Sequence, residues 1–403
     1  MKYLIIIGDG MADYHLRELD GRTPLEAADK PLMDLIADRG RCGLLKTLDE
    51  RFPLGSDVAN LTVLGYDPSE YYPMGRGPLE AGGRGISLKD DEIAFRCNLI
   101  TEKDGRIEDY SAGHISNQES RKLMEFIDRE FSSEYVRFYR GVGYRHIMVL
   151  KSDEIYSEKI KAMPPHDIMG QKVEDNMIRA VSREGEITAD ELNKMMLRSR
   201  DILERHPINR ERIKKGRNPA NMIWFWGHGK RPHMERFEDR HGIKGGMISA
   251  VDLLKGIAHY IGLDVLEVPG ATGYLDTNYE GKADAALRYL QNADFIYVHV
   301  ESPDEAGHEG SIEKKIRAIE DLDKRLISRI LQGMEGMEFK IAVLPDHATP
   351  VEVRTHTSDP VPFAIYSTEV EGDSVKRFSE DDAGEGFYGV REGIEFMKLF
   401  LSD

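Results

Sequence analysis

Two cysteines, Cys42 and Cys97, are all that the 403 residues contain. Neither falls in a CxxC spacing, so a disulfide framework and a cysteine metal knuckle are both excluded, and a reducing, cytoplasmic compartment is expected. Long apolar runs are missing as well. The N-terminal run Tyr3 to Ile7 is far short of a signal-peptide core, and no stretch approaches the roughly 18–20 residues of a membrane span. Basic charge is in deficit, with Lys plus Arg at 55 against Asp plus Glu at 72, a net charge of −17. That lack of a basic footprint argues against nucleic-acid binding. Nucleotide devices are missing too. Gly8-Asp9-Gly10 opens like a dinucleotide fingerprint, but position 13 is Asp. There is no GxxxxGK[ST] loop, no kinase glycine loop and no GxSxG elbow.

What is present is a globular composition, 40% hydrophobic, in a chain long enough for two domains. Tyr3 to Ile7 reads as a buried parallel strand, and Asp29 to Ala37 as a helix. Cys42 to Leu45 is a second strand. Met247 to Ile261 reads as one amphipathic helix, followed by a strand from Val265 to Val268 and a short helix from Ala283 to Leu290. Asp294 to Val300 is a buried strand, Ile312 to Leu331 a long helix and Lys340 to Leu344 another buried strand. This alternation predicts an α/β fold, a mostly parallel sheet flanked by helices. The rhythm breaks between Pro78 and Arg236. Charged helical stretches (Gln118 to Phe131, Ala189 to Glu204) mix there with strands such as Tyr135 to Tyr139 and His146 to Leu150. The reading is an inserted α+β domain, residues 78–236, in a discontinuous domain made of 1–77 and 237–403. The glycine-rich run Gly75 to Gly85 reads as a hinge or domain crossover.

Ligands of open α/β sheets collect beyond the carboxyl ends of the strands. Asp9 ends the first strand, Glu301 and Asp304 follow Asp294 to Val300, and Asp346-His347 follow Lys340 to Leu344. Asp304 and His308 stand at i and i+4, on one face of a helical turn, where a carboxylate and an imidazole chelate one divalent ion. His356 completes a three-ligand set, and Asp9, Asp346 and His347 form another. Acidic loop residues that merely cap helices are the bland alternative. Ser56, in Gly55-Ser-Asp-Val-Ala-Asn60, is open to two readings: a helix N-cap, or a nucleophile activated by a metal ion without a histidine base. Oxygen and imidazole donors without thiolate suit Mn²⁺, taken first, with Mg²⁺, Co²⁺ or Zn²⁺ as alternatives.

Taken together, Gly8-Asp9-Gly10, Gly55-Ser56-Asp57-Val58, Pro303-Asp304 with Gly307-His308, Asp346-His347 and His356-Thr-Ser-Asp-Pro-Val-Pro362 resemble the alkaline phosphatase superfamily. Within it, the chain is similar to the archaeal-type cofactor-independent phosphoglycerate mutases. Thr23 to Ala28, Asn60-Leu61 with Gly65-Tyr66-Asp67, Gly77 to Ala81, Val268 to Gly273 and Tyr279 to Lys282 extend the match. The resemblance implies an alkaline-phosphatase-like fold and two metal ions. One would be held by Asp304, His308 and His356, the other by Asp9, Ser56, Asp346 and His347. Ser56 would carry the phosphoryl group between the two hydroxyls of glycerate, while the insert closes over the substrate. Anchors for a small phosphorylated substrate are sought in Arg140 and Arg145, around the Gly141-Val-Gly143 turn, and in Lys230 and Arg231 near the domain return. His114 and Lys282 match family positions at the substrate, and Asp167 is the candidate proton shuttle. A monomer or weak oligomer is expected.

Two alternatives stay open. A homoserine kinase-like or phosphopentomutase-like phosphotransferase would share the metal core, although the absence of a nucleotide device weighs against a kinase. A catalytically silent metal-binding scaffold is opposed by retention of the whole metal set, Ser56 included.

Overall fold

The computed structural model describes residues 1–73 and 75–402, which fall into two compact units, Met1–Tyr72 with His233–Asp403, and Pro73–Pro232. The sequence reading set these divisions at 77/78 and 236/237.

The first unit is built on eight strands: β1 (Lys2–Gly8), β2 (Arg41–Lys46), β3 (Gly245–Ile248), β4 (Asp264–Val265), β5 (Phe295–Val300), β6 (Phe339–Leu344), β7 (Val361–Ser367) and β8 (Gly389–Glu392). They lie in the order β4-β3-β5-β1-β6-β7-β2-β8. All pairings are parallel except the two made by β7, which runs against its neighbours β6 and β2. β1, β5 and β6 are near-continuous apolar runs because helices cover both faces. One face (Leu4, Ile6, Ile296, Val298, Ile341, Val343) packs with Leu322, Leu326, Ile330 and Ala286. On the opposite face Tyr297 donates its hydroxyl to Asn60 of the Ser56–Val63 helix. His299, two residues on from Tyr297, shares that face.

The second unit is an antiparallel sheet in which Glu92–Lys103 pairs with Arg106–Asp109, Arg145–Lys151 and Met222–Lys230, and Val136–Tyr139 with Arg145–Lys151. The helices Asn117–Phe131 and Glu186–Leu203 contribute Leu123, Met124, Ile127, Leu192 and Met196 to a core with Phe95, Met148, Trp224 and Phe225. The fold is therefore mixed α/β with a mostly parallel sheet, as the sequence predicts.

Four local expectations are corrected. Met247 and Ile248 belong to β3, opposite Tyr297 and Val298, and the helix starts only at Asp252. Pairing in the middle of a sheet outweighs the helical spacing these two residues share with Leu254 and Ile257. The strand expected over Val265 to Val268 shrinks to Asp264–Val265. The long helix from Ile312 contains a π-helical segment, Leu322–Ile327. Within it Asp323 is buried and accepts the Leu32 and Met33 amides, so it caps the Pro31–Arg39 helix from outside. Lastly, the glycine-rich run, read as a hinge or domain crossover, holds a buried helix, Gly77–Gly83. A Cβ on Gly75 or Gly77 would sit 2.6–2.7 Å from Gly227 backbone atoms, so these glycines permit close backbone approach.

Candidate active site

The three central strands deliver the acids. β5, β1 and β6 are adjacent and parallel, with Gly8 opposite Val300 and Ile7 opposite Leu344. Asp9, Asp304 and Asp346-His347 therefore leave the sheet at one edge. His356 arrives by a different route. It precedes β7, which starts at the edge where the parallel strands end because it runs the other way.

Three donor groups form there, two from the expected ligands and a third from Asp9, His299 and Asp346. Asp304, His308 and His356 bring ligand atoms within 4.8 Å of one another, as do Asp9, Asp304 and His347. His308 Nε2 lies 3.2 Å from Asp304 Oδ2, and His356 Nε2 lies 3.5 Å from Asp304 Oδ1. In the neighbouring group His347 Nε2 is 3.3 Å from Asp9 Oδ1 and 3.7 Å from Asp346 Oδ2. Asp346 is itself held by the amides of Gly10 and His347 and by the Asn60 side chain (2.6 Å).

Each imidazole is oriented by its other nitrogen. His308 Nδ1 donates to the Arg354 carbonyl (3.0 Å), and His356 Nδ1 to the Leu54 carbonyl (3.0 Å). Thr349 donates its hydroxyl to Asp304 Oδ1 (2.5 Å), so its oxygen accepts from His347 Nδ1 at 3.2 Å. All three Nε2 atoms thus face the carboxylates, an arrangement of outer partners that suits metal-bound histidine. The loops themselves are tied together by the fully buried Lys315, which donates to Asp13 Oδ2 (2.7 Å), Ala12 O and Thr349 O.

Ser56 is not an N-cap. Gly55 holds that position, and the Ser56 hydroxyl turns to His347 Nε2 (3.1 Å) and to both oxygens of Asp9 (3.4 Å each). Charge is badly unbalanced without a cation. Burial, then Asp346, Asp304 and Glu301, push the Asp9 carboxyl well above its ordinary value. Glu301 is pushed up to about 8 by burial and by Glu305 and Asp304. Burial also opposes ionisation of Asp304, yet hydrogen bonds from His308 and His356 hold its carboxyl well below the usual range. His308 in turn rises to about 9, chiefly through Asp304. Buried carboxylates, inward-facing imidazole Nε2 atoms and no thiolate make a donor set that fits divalent ions.

Lys282 is buried and donates to the His299 carbonyl (2.8 Å), so it braces β5. Burial lowers it to about 8, while Glu301 pulls the other way.

In the second unit the candidates divide. Arg145 lies over the Tyr144 ring (5.1 Å), and Tyr144 meets Tyr110 edge-on. His166 packs against Tyr110 and Trp226, with Asp167 Oδ1 3.6 Å from its Nε2. Burial lowers the His166 pKa; Asp167 opposes this, and Arg96, Arg76 and Arg145 add to it. Arg76, Arg96, Arg145, His166 and Asp167 therefore converge. Sequence reasoning missed Arg76 and Arg96. Arg96 lies 4.1 Å over Trp226 and 2.8 Å from Glu80, and that Glu80, within the Gly77 to Ala81 motif, was the available signal.

Arg140 turns elsewhere, to Glu125 at 2.5 Å, and lines a cavity of ≈ 610 Å³ with Lys122, Arg129 and His206. Lys230 and Arg231 also lie apart. Lys230 pairs with Ile93 while Arg145 pairs with Asn98, about 17 Å along the same strand. Arg231 is near Asp90 (3.8 Å). His114 is exposed at the end of three left-handed residues, Ala112, Gly113 and His114 (φ 50, 64 and 48°). Asp109 and Arg212 hold that strained turn through the Ser111 and Gly113 amides and the Ala112 carbonyl. Among the described residues no helix is long and apolar enough to cross a membrane.

Comparison with known proteins fits this geometry. A family model for 2,3-bisphosphoglycerate-independent phosphoglycerate mutase matches residues 37–209. The enzyme of that name from Methanosarcina acetivorans is 52% identical over 404 residues, all of both chains. One from Methanothermobacter thermautotrophicus is 48% identical over 401 residues, 100% of this chain and 97% of its own. Among solved structures, a protein from Pyrococcus horikoshii superposes with a TM-score of 0.84 at 32% identity, covering 99% of this chain and 96% of that one. A cofactor-independent phosphoglycerate mutase from Thermoplasma acidophilum gives 0.71 at 30%, covering 100% and 99%. The chain belongs to the 2,3-bisphosphoglycerate-independent phosphoglycerate mutases, isomerases that move a phosphoryl group within one molecule.

Proposed function

We propose that this chain interconverts 2- and 3-phosphoglycerate through a phosphoserine at Ser56, with two divalent metal ions and no 2,3-bisphosphoglycerate. The observation that carries the reading is the direction of the Ser56 hydroxyl, which leaves the helix cap and points at Asp9 and His347. Asp304, His308 and His356 would hold one ion, and Asp9, Ser56, Asp346 and His347 the other, with Mn²⁺ favoured over Mg²⁺, Co²⁺ or Zn²⁺. The ions would supply Lewis-acid stabilisation of the serine oxygen and of the phosphoryl charge.

Ser56 Oγ forms a bond to phosphorus as the substrate's own phosphate ester bond breaks, leaving glycerate. The glycerate hydroxyls exchange places, and the reverse step releases the isomer. Asp167, beside His166, is the proposed proton shuttle between those hydroxyls. Arg145, with Arg96 and Arg76, is proposed to hold the substrate's anionic groups, through the fork geometry that suits carboxylate and phosphate. His114 is proposed to touch the substrate, and Lys282 to steady the phosphoryl site. Arg140, Lys230 and Arg231 are the less favoured anchors, since they stand away from the Arg145 cluster. We further propose a cytoplasmic enzyme, a monomer or weak oligomer, with no nucleic-acid or membrane partner.

Purified protein loaded with Mn²⁺ is expected to convert 3-phosphoglycerate to 2-phosphoglycerate without added bisphosphoglycerate or nucleotide. No conversion under those conditions refutes the substrate assignment. Activity that appears only with nucleotide supports the kinase-like alternative.

A further inference from the structure

His299 was not among the expected ligands, because it sits inside an apolar strand and not beyond its end. Register places it opposite Ile7 on β1, two residues before Asp9. It is fully buried, and its Nε2 makes no hydrogen bond even though Asp9 Oδ2 is 3.2 Å away. Asp346 Oδ2 is 4.0 Å from the same nitrogen. His347 Nε2 stands to the same two carboxylates at 3.3 and 3.7 Å. Two imidazoles thus bracket one pair of acids at near-equal distances. Donors about 2.1 Å from a common ion lie about 3.0–3.4 Å from each other, the range seen between Asp9 and each imidazole.

The other side of the ring supports the same reading. His299 Nδ1 faces Ser249 Oγ at 3.5 Å, and that oxygen already accepts the Val251 amide. The His299 carbonyl is pinned by Lys282 (2.8 Å). A buried ring fixed at its backbone, with an acceptor behind Nδ1 and an unpartnered Nε2 aimed at two carboxylates, has the layout of a metal-bound histidine.

We propose that His299 is a further ligand of the ion held by Asp9, Ser56, Asp346 and His347, an inference that rests on the two-ion reading above. An added nitrogen donor favours Co²⁺, Zn²⁺ or Mn²⁺ over the oxygen-seeking Mg²⁺ at that position.

The test uses the wild-type chain with ¹⁵N-labelled histidine, loaded with ¹¹³Cd²⁺, its bound metal counted by mass spectrometry and its imidazole nitrogens read by NMR. Two ions and four histidine nitrogens coupled to ¹¹³Cd are expected, with one coupling lost in His299→Gln. In that variant Co²⁺ should also bind at least about tenfold more weakly, by chelator competition, with a smaller change for Mg²⁺. Two ions with only three coupled nitrogens would overturn the proposal while leaving the two-ion reading intact. Fewer than two ions would overturn both. Weaker Co²⁺ binding in His299→Gln with the wild-type set of couplings would mean that His299 acts through Asp9, which also refutes direct ligation. The wild-type count decides the matter even where the variant does not fold.

Discussion

Replacing Ser56 by Ala separates chemistry from stability. The hydroxyl's contacts are long, 3.4 Å to each Asp9 oxygen and 3.1 Å to His347 Nε2. It caps nothing, because Gly55 is the N-cap of the Ser56–Val63 helix and no side chain bonds there. The loss should therefore cost no more than about 0.5–1.5 kcal/mol, one ordinary hydrogen bond, and the urea midpoint should move little. Turnover should fall by about 10⁴-fold or more, because a missing nucleophile removes the chemical step and the defect appears in kcat. Neighbouring hydroxyls cannot substitute. Thr62 is tied back to the Val58 carbonyl (2.8 Å), and Thr349 is committed to Asp304. The assay is interconversion of the two phosphoglycerates by the metal-loaded variant. In parallel, wild-type protein is acid-quenched with substrate and its peptides are mapped for phosphate. Substantial mutase activity in Ser56→Ala, or phosphate on another residue, would refute the reasoning.

Arg96→Met should destabilise the protein by about 3–5 kcal/mol in urea unfolding, because the buried Glu80 carboxylate loses its 2.8 Å partner. The double variant Glu80→Gln, Arg96→Met should recover most of that loss; an additive double variant would show that the pair is not coupled. Metal affinity at the Asp304, His308 and His356 group should tighten with rising pH. His308, lifted to about 9 by Asp304, is protonated in the metal-free protein near neutrality and must release that proton to ligate. Each proton displaced gives about one decade of affinity per pH unit below about 9, with a plateau above it. The sign reverses for the metal-free fold. A histidine pKa raised on folding adds stability in full below about 6.5, the ordinary value, and loses it as pH rises through about 9. A pH-independent dissociation constant, measured by calorimetry between pH 6 and 8, would contradict the assigned ligand.

Legibility from sequence followed the physics of each element. Buried parallel strands are short apolar runs that end abruptly, so Tyr3 to Ile7 and Lys340 to Leu344 could be read directly, and the acids behind them came with the strands. Met247 and Ile248 misled because a run of that length satisfies a helix or a strand equally well, and pairing with β5 decided it. His299 was hidden for the complementary reason: a histidine in the sequence DFIYVHV reads as part of the core, and only register shows it beside Asp9. Arg140 and Arg145 flank one turn and were read as a pair. The chain diverges around Gly141, where an added Cβ would meet the Arg145 carbonyl and the Arg84 guanidinium, and sends Arg140 to Glu125 and Arg145 to Tyr144. Side-chain direction across a turn depends on backbone angles that spacing does not encode.

An acidic chain proposed to act on a polyanionic substrate needs local reversals of sign, and the two units differ in the sign of the fixed charge they gather. In the second unit fixed cations gather on aromatic faces: Arg96 on Trp226, Arg145 on Tyr144, with His166 depressed by burial beside them. In the first unit the fixed charge is negative and buried. Asp9, Asp304, Asp346 and Glu301 interact at close range, and Asp9 and Glu301 are driven toward the protonated state. Of the nearby fixed cations, Lys282 spends its ammonium on a backbone carbonyl, and Lys315 is committed to Asp13 and two carbonyls. Neutralisation falls to protons or to bound cations. At neutral pH the proton on His308 is the labile one, on the nitrogen that faces the Asp304 carboxylate, and Asp304 raises His356 in the same direction although burial opposes it. A divalent ion held there in place of that proton would supply positive charge at the edge where the Ser56 hydroxyl points.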